Sequence, residues 1–177
     1  MKVAIIGYSG SGKSTLARKL GQFYHAEVLH LDQVHHMPGW KERDYESARK
    51  IVSDFLDEHS SWVIDGNYGK LFFERRLEEA DIIIMLLFNR FSSLLRAWKR
   101  YRTYKGKSRP DMAEGCPEKM DAEFIKWILF DGRTKSTRDH YRKIKLQFPD
   151  KVIILKNQRQ IDAFNDRKGL VCEEKTL

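Results

Sequence analysis

Residues 7–14 read Gly-Tyr-Ser-Gly-Ser-Gly-Lys-Ser, preceded by an apolar run at 3–6 and followed by helical spacing over 14–23. The pattern G-x-x-x-x-G-K-[ST] between a strand and a helix fits a phosphate-binding loop, and it commits the chain to a strand–loop–helix unit. Gly7, Gly10 and Gly12 let backbone N–H groups turn inward with no Cβ in the way, while the following helix points its positive end at the same anion. Lys13 supplies a mobile charge for β- and γ-phosphates, and the Ser14 hydroxyl is placed to ligate a bridging Mg²⁺.

The remaining sequence continues the alternation. Apolar strands are expected at 26–31, 62–64, 81–88 and 152–155, and helical patterns at 45–56, 71–80, 90–104, 120–130 and from 161–164 onward. With 177 residues, 41% of them hydrophobic, one α/β domain over 1–177 is expected. No apolar run approaches the roughly 20 residues of a membrane span. Cys116 and Cys172 are far apart and the apolar start breaks at Gly7, so a cytoplasmic chain with reduced thiols is expected.

Two carboxylates follow predicted strands. Ligands of open α/β sheets bind at the carboxyl ends of strands, so Asp32 is a candidate general base or outer-sphere Mg²⁺ partner, unless it simply caps a turn. Asp65 is a candidate for the Mg²⁺ water shell, and Gly66 after it would free backbone N–H groups for an acceptor anion. His30, His35 and His36 surround Asp32, but their spacing matches no common zinc pattern; His35 and His36 read as lining an acceptor pocket or facing solvent. Pro38-Gly39-Trp40 is a turn suited to a flap. Asn157, at the end of the last strand, is placed where a nucleotide base could rest.

The formal net charge of +8 is concentrated in one segment: Arg90, Arg96, Lys99, Arg100, Arg102, Lys105, Lys107 and Arg109 occur there with no acidic residue among them. On the helix at 90–104, Leu94, Leu95, Trp98 and Tyr101 are spaced for burial. A mobile turn and two further helical patterns follow, the last carrying Arg133 and Arg138. Together they read as a lid that closes over a polyphosphate, with Arg96, Arg100, Arg133 and Arg138 as candidates to stabilise the transferring group.

Several stretches together resemble a known family. GYSGSGKSTLARKL, LHLD before PGW, WVIDGNYGKLFFERRLEEAD and the basic run into KGKSRPDMAEGCPEKMD are similar to bacterial DNA topology modulation proteins of the FlaR type, which are adenylate-kinase-like. The resemblance extends to about Leu155. It implies a doubly wound parallel sheet of five strands ordered 2-3-1-4-5, with a lid at about 96–140 between the fourth and fifth. It also implies ATP bound at Gly10, Ser11, Gly12, Lys13, Ser14 and Thr15, and Gly7 and Ser9 of the same loop are counted with the expected nucleotide site. Asp65-Gly66 stands where adenylate kinases carry Asp-Gly, whereas Asn67-Tyr68 departs from the Phe-Pro-Arg that follows there. Arg76, or its neighbour Arg75, is expected to replace the missing arginine, so the expected acceptor set is Asp32, Gly66, Asn67, Tyr68 and Arg76.

The leading expectation is a kinase that moves the γ-phosphoryl of Mg·ATP to a small-molecule acceptor. A rival is a DNA-binding regulator switched by ATP, in which Trp98, Tyr101 and Tyr104 stack on bases between arginines. Those aromatics fall on the apolar stripe, which counts them as core first. A third expectation is ATP binding with no acceptor.

Overall fold

The computed structural model describes residues 1–169. The chain runs β1 (Lys2–Gly7), α1 (Lys13–Tyr24), β2 (Glu27–His30), α2 (Leu31–His35), β3 (His36–Met37), β4 (Lys41–Glu42), α3 (Tyr45–Glu58), β5 (Trp62–Asp65), α4 (Phe73–Glu79) and β6 (Ile82–Leu86). It continues through α5 (Arg90–Tyr104), α6 (Ala122–Leu129), α7 (Lys135–Gln147), β7 (Val152–Leu155) and α8 (Gln158–Lys168). The polar tail, beyond Gly169, and Cys172 lie outside the described residues.

Five strands form one parallel sheet in the order β2-β5-β1-β6-β7, which is 2-3-1-4-5 when the strands of this sheet are counted alone. The period-two alternation of side chains in β1 supplies both layers of core. Ala4 and Ile6 pack with Ile64, Met85, Val52, Leu56 and Ile144 on one face. Val3 and Ile5 pack with Ile84, Leu86, Leu16, Leu20 and Phe164 on the other. Each fully buried aliphatic side chain contributes about 1.5–3 kcal/mol relative to leaving it in water. β1 and β5 are therefore held at the centre of the sheet, and the loops after them open at one edge.

Three local expectations change. Asp32 does not end a strand: the chain turns directly from β2 into the single-turn helix α2, whose first turn carries it. β3 and β4 form a short antiparallel hairpin across Pro38-Gly39-Trp40, which the sequence reads only as a turn.

The third change concerns α5. Its buried residues are Ser93 and Ala97 rather than Leu94, Leu95, Trp98 and Tyr101; Leu95 is 52% and Trp98 44% exposed. The reason is steric. A Cβ added at Gly10 would lie 2.5 Å from the Ser93 carbonyl oxygen and 3.4 Å from Ala97 Cβ, so α5 approaches the phosphate loop by its smallest side chains.

Candidate active site

The loop between β1 and α1 is shaped for an anion. Gly10 (φ 74°) and Gly12 (φ 93°) adopt left-handed backbone, which L side chains rarely enter. Gly12 caps α1 without a side chain, and no acidic residue lies in the first turn of that helix. In contrast, Asp44, Asn89, Asp121, Thr134 and Asn157 each cap a later helix with a side-chain oxygen. The first-turn amides of α1 are thus left for an exogenous ligand, and the loop fits the phosphates of a nucleotide.

Ser9, Gly10, Gly12, Lys13, Ser14 and Thr15 line one cavity of about 980 Å³. Lys13 Nζ donates to the Tyr8 carbonyl at 3.1 Å. The residue keeps some exposed surface, yet its ammonium is crowded by protein, and burial pushes its pKa below the ordinary lysine value, with Asp32 and Asp65 opposing the shift. Gly7 and Ser11 do not line the cavity. They shape the loop from beneath, Ser11 being buried with its hydroxyl donating to the Tyr8 carbonyl at 2.6 Å.

At the end of β5, Asp65 is buried and accepts from the Ser14 hydroxyl at 2.8 Å. Its second oxygen contacts His30 Nδ1, from the register partner in β2. No cluster of three or more His, Cys, Asp or Glu side chains suited to a metal occurs among the described residues. Ser14 and Asp65 nevertheless offer two hard oxygen donors side by side, which fits Mg²⁺, a cation that keeps several of its waters.

Asp32 lines the same cavity, and Tyr68 donates its hydroxyl to Asp32 Oδ1 at 2.7 Å. Burial, and then the Asp32 charge, raise the Tyr68 pKa far above the ordinary phenol value, so Tyr68 is a fixed donor to the Asp32 carboxylate.

α5 and the loop after it supply a charge network, most of it buried. Arg100 donates to Glu118 at 2.8 Å and Arg109 to Asp111 at 2.8 Å, while Arg109 Nε lies 2.6 Å from the second Glu118 oxygen. All four side chains line the cavity. Burial and the neighbouring Arg109 lower the Arg100 pKa, but guanidinium remains charged across the physiological range. Sequence alone counts Arg109 with the basic run and gives Asp111 and Glu118 no role. The available signal was the interleaving of acids and bases in RPDMAEGCPEK, a loop whose arginine needs local carboxylates once buried.

Other expected site residues stand elsewhere. Arg96 lines the cavity, and a Cβ at Gly12 would lie 2.4 Å from its guanidinium. Arg76 is fully buried and donates to the carbonyls of Leu71, Gly66 and Tyr68; it braces the loop after β5 and cannot face an acceptor. Its neighbour Arg75 is occupied by Asp57 and Glu79. Arg133 is likewise spent on the carbonyls of Ile128 and Phe88 and the Ser93 hydroxyl, and lies 3.9 Å over the Tyr8 ring. Arg138 donates to the Arg133 carbonyl and lies off the cavity.

The residues after Asp65 change role too. The Gly66 N–H donates to the Ile5 carbonyl at 3.1 Å and is not free for an acceptor. Asn67 accepts from the Gly7 N–H at 2.9 Å and donates to the Gly7 carbonyl at 2.8 Å, so it clamps the phosphate loop. Asn157 caps α8 by accepting from the Gln160 N–H, while its neighbour Gln158 is the residue that meets Arg96.

No protein-family model and no curated protein sequence matches the chain. Solved structures do. A shikimate kinase from Acinetobacter baumannii in complex with shikimate aligns over 99% of this chain and 95% of its own, with a TM-score of 0.60 at 16% identity. TT1252 from Thermus thermophilus aligns over 99% and 98%, with a TM-score of 0.54 at 14% identity. A deoxyadenosine kinase from M. mycoides with bound dATP aligns over 96% and 100%, with a TM-score of 0.52 at 14% identity. The chain shares its fold with the shikimate kinase and the deoxyadenosine kinase.

Proposed function

We propose that the chain is a kinase that transfers the γ-phosphoryl group of Mg·ATP to a hydroxyl of a small-molecule acceptor. The observation that carries this reading is the position of Asp32: a carboxylate fixed by Tyr68 lines the same cavity as Lys13 and Ser14, so a proton acceptor and a phosphate cradle face one space. The fold shared with two kinases supports it.

In the transfer, the acceptor oxygen attacks the γ-phosphorus as its proton passes to Asp32. The bond from that phosphorus to the β,γ-bridging oxygen breaks, and its electron pair leaves with ADP. Lys13 and the lid arginines Arg100 and Arg109 stabilise the charge on the transferring group. Ser14 and Asp65 would hold Mg²⁺, which when bound would supply neutralising charge to the polyphosphate. Arg96, beside Gly12 and Gln158, is assigned to the nucleotide end of the cavity.

One observation favours a second reading. Trp98 is exposed rather than core, with the Arg102 guanidinium 4.9 Å over its ring, so the stripe Phe91, Leu95, Trp98 offers aromatic surface beside cations, as a DNA-binding regulator requires. ADP release from Mg·ATP, scanned across sugars, hydroxy acids, nucleosides, nucleotides and duplex DNA with Lys13→Ala as blank, separates the two. Turnover with a small acceptor supports the kinase; stimulation by DNA alone, falling steeply with salt, supports the regulator.

A further inference from the structure

The wall of the cavity beside Asp32 is built jointly by the β3–β4 hairpin and the lid loop. The Gly39 N–H donates to the Gly115 carbonyl at 3.0 Å, Trp40 Nε1 donates to the Pro117 carbonyl at 3.2 Å, and Cys116 Sγ meets the Met37 carbonyl at 3.2 Å. From α2, Gln33 donates to the Pro110 carbonyl at 2.7 Å. These contacts fix the segment just before Lys119, whose ammonium sits 4.9 Å over the Trp40 ring at the cavity rim.

His36 completes this corner. It lines the cavity beside Trp40, with ring centroids 5.3 Å apart, and its Nδ1 is buried with no hydrogen-bond partner among the described residues. The ring as a whole is only partly buried and makes no hydrogen bond among the described residues, which leaves it available to a ligand in the cavity. Burial, and then neighbouring His35, lower the His36 pKa, so the ring is neutral near pH 7 and offers a hydrogen bond rather than a charge. Lys119, by contrast, offers a charge, and no carboxylate lies within ion-pair distance of it among the described residues. Arg100 and Arg109 pair with Glu118 and Asp111, whereas Lys119, unlike them, has no carboxylate partner among the described residues.

We propose that the acceptor is an alcohol that also carries an anionic group, a carboxylate or a phosphate ester, and that Lys119 and His36 hold this group against Trp40 while the hydroxyl lies at Asp32. The proposal rests on the kinase reading and adds the chemical class of its acceptor. The anion is a recognition handle and takes no part in the bond changes. A neutral polyol would gain nothing from the Lys119 charge, and so bind less well.

The test uses matched acceptors that differ in charge: glycerol, glycerate and glycerol 3-phosphate, then ribose, ribonate and ribose 5-phosphate. ADP release is measured for the full-length protein and for Lys119→Gln and His36→Phe. In parallel, tryptophan fluorescence is titrated with each compound in the presence of a non-hydrolysable ATP analogue. The expected result is a preference of about tenfold or more in kcat/KM for one anionic member over its neutral counterpart. In Lys119→Gln this preference falls toward one, through KM rather than kcat. Whether the acid or the phosphate ester is preferred identifies the anion.

Equal or better use of the neutral members, or a preference that survives in Lys119→Gln, would overturn the proposal and leave Lys119 as a cover for the indole. If no compound releases ADP above the Lys13→Ala blank, the kinase reading falls for this acceptor class. The fluorescence titration still decides the subsite: saturable binding of anionic members that is lost in Lys119→Gln upholds it, and identical titrations in both proteins reject it.

Discussion

Asn67 and Gly7 hold each other by two hydrogen bonds, the Gly7 N–H donating to Asn67 Oδ1 at 2.9 Å and Asn67 Nδ2 donating back to the Gly7 carbonyl at 2.8 Å. The first glycine of the loop is thereby tied to the chain just after the strand that carries Asp65, and the loop and that carboxylate share one frame.

Asn67→Ala removes that tie and leaves two backbone groups without partners, a loss of about 1–3 kcal/mol. ATP affinity should fall roughly tenfold, since about 1.4 kcal/mol corresponds to one decade. Isothermal titration with ATP checks this, and acceptor KM should move much less, because Asn67 does not line the main cavity.

Arg76→Ala should destabilise the protein by about 3–5 kcal/mol, because it deletes a buried cation whose three donors satisfy three carbonyls. A denaturation midpoint measures the loss. If Arg76 instead faced the acceptor, stability would hold and KM would rise.

Arg100→Ala should lower kcat by about 10²–10³ with ATP affinity within a few fold, as for an interaction made mainly in the transition state. Glu118 keeps Arg109 as its partner in this variant, so the fold is retained. Comparing kcat with a binding isotherm for the same protein separates the two effects.

Lys13 carries a stability cost. Its folded pKa lies below the ordinary 10.5, chiefly through burial, so between the two values the unfolded chain binds more protons and stability of the ligand-free protein rises with pH. At neutral pH, Lys13→Met should therefore stabilise the ligand-free protein, by on the order of 1 kcal/mol, while abolishing ATP turnover. The advantage should shrink as pH rises through the folded pKa towards 10.5. Thermal melts of both proteins from pH 7 to 10 record it.

The sheet and the cradle were legible because each is written in local pattern: β1 and β6 as apolar runs, the phosphate loop as spaced glycines with Lys13 and Ser14. The arginines were not. Residue type shows that Arg76 and Arg133 are cations, but their tertiary neighbours are carbonyls brought in from loops and strand ends, so both are braces rather than catalytic groups. Trp98 was misread for a related reason. Helical spacing identifies a stripe, whereas the close approach of Gly10 to Ser93 decides which stripe faces inward. Arg109 was hidden because its importance depends on Asp111 and Glu118, which meet it only in the folded loop between α5 and α6.

The most direct test of phosphoryl transfer is ³¹P NMR of Mg·ATP incubated with the protein and the best acceptor from the matched panel. The account predicts a phosphomonoester resonance that grows in step with ADP, absent with Lys13→Ala and strongly slowed with Asp32→Asn. Inorganic phosphate as the only new phosphorus species beside ADP, with a rate set by DNA rather than by any small alcohol, would contradict it.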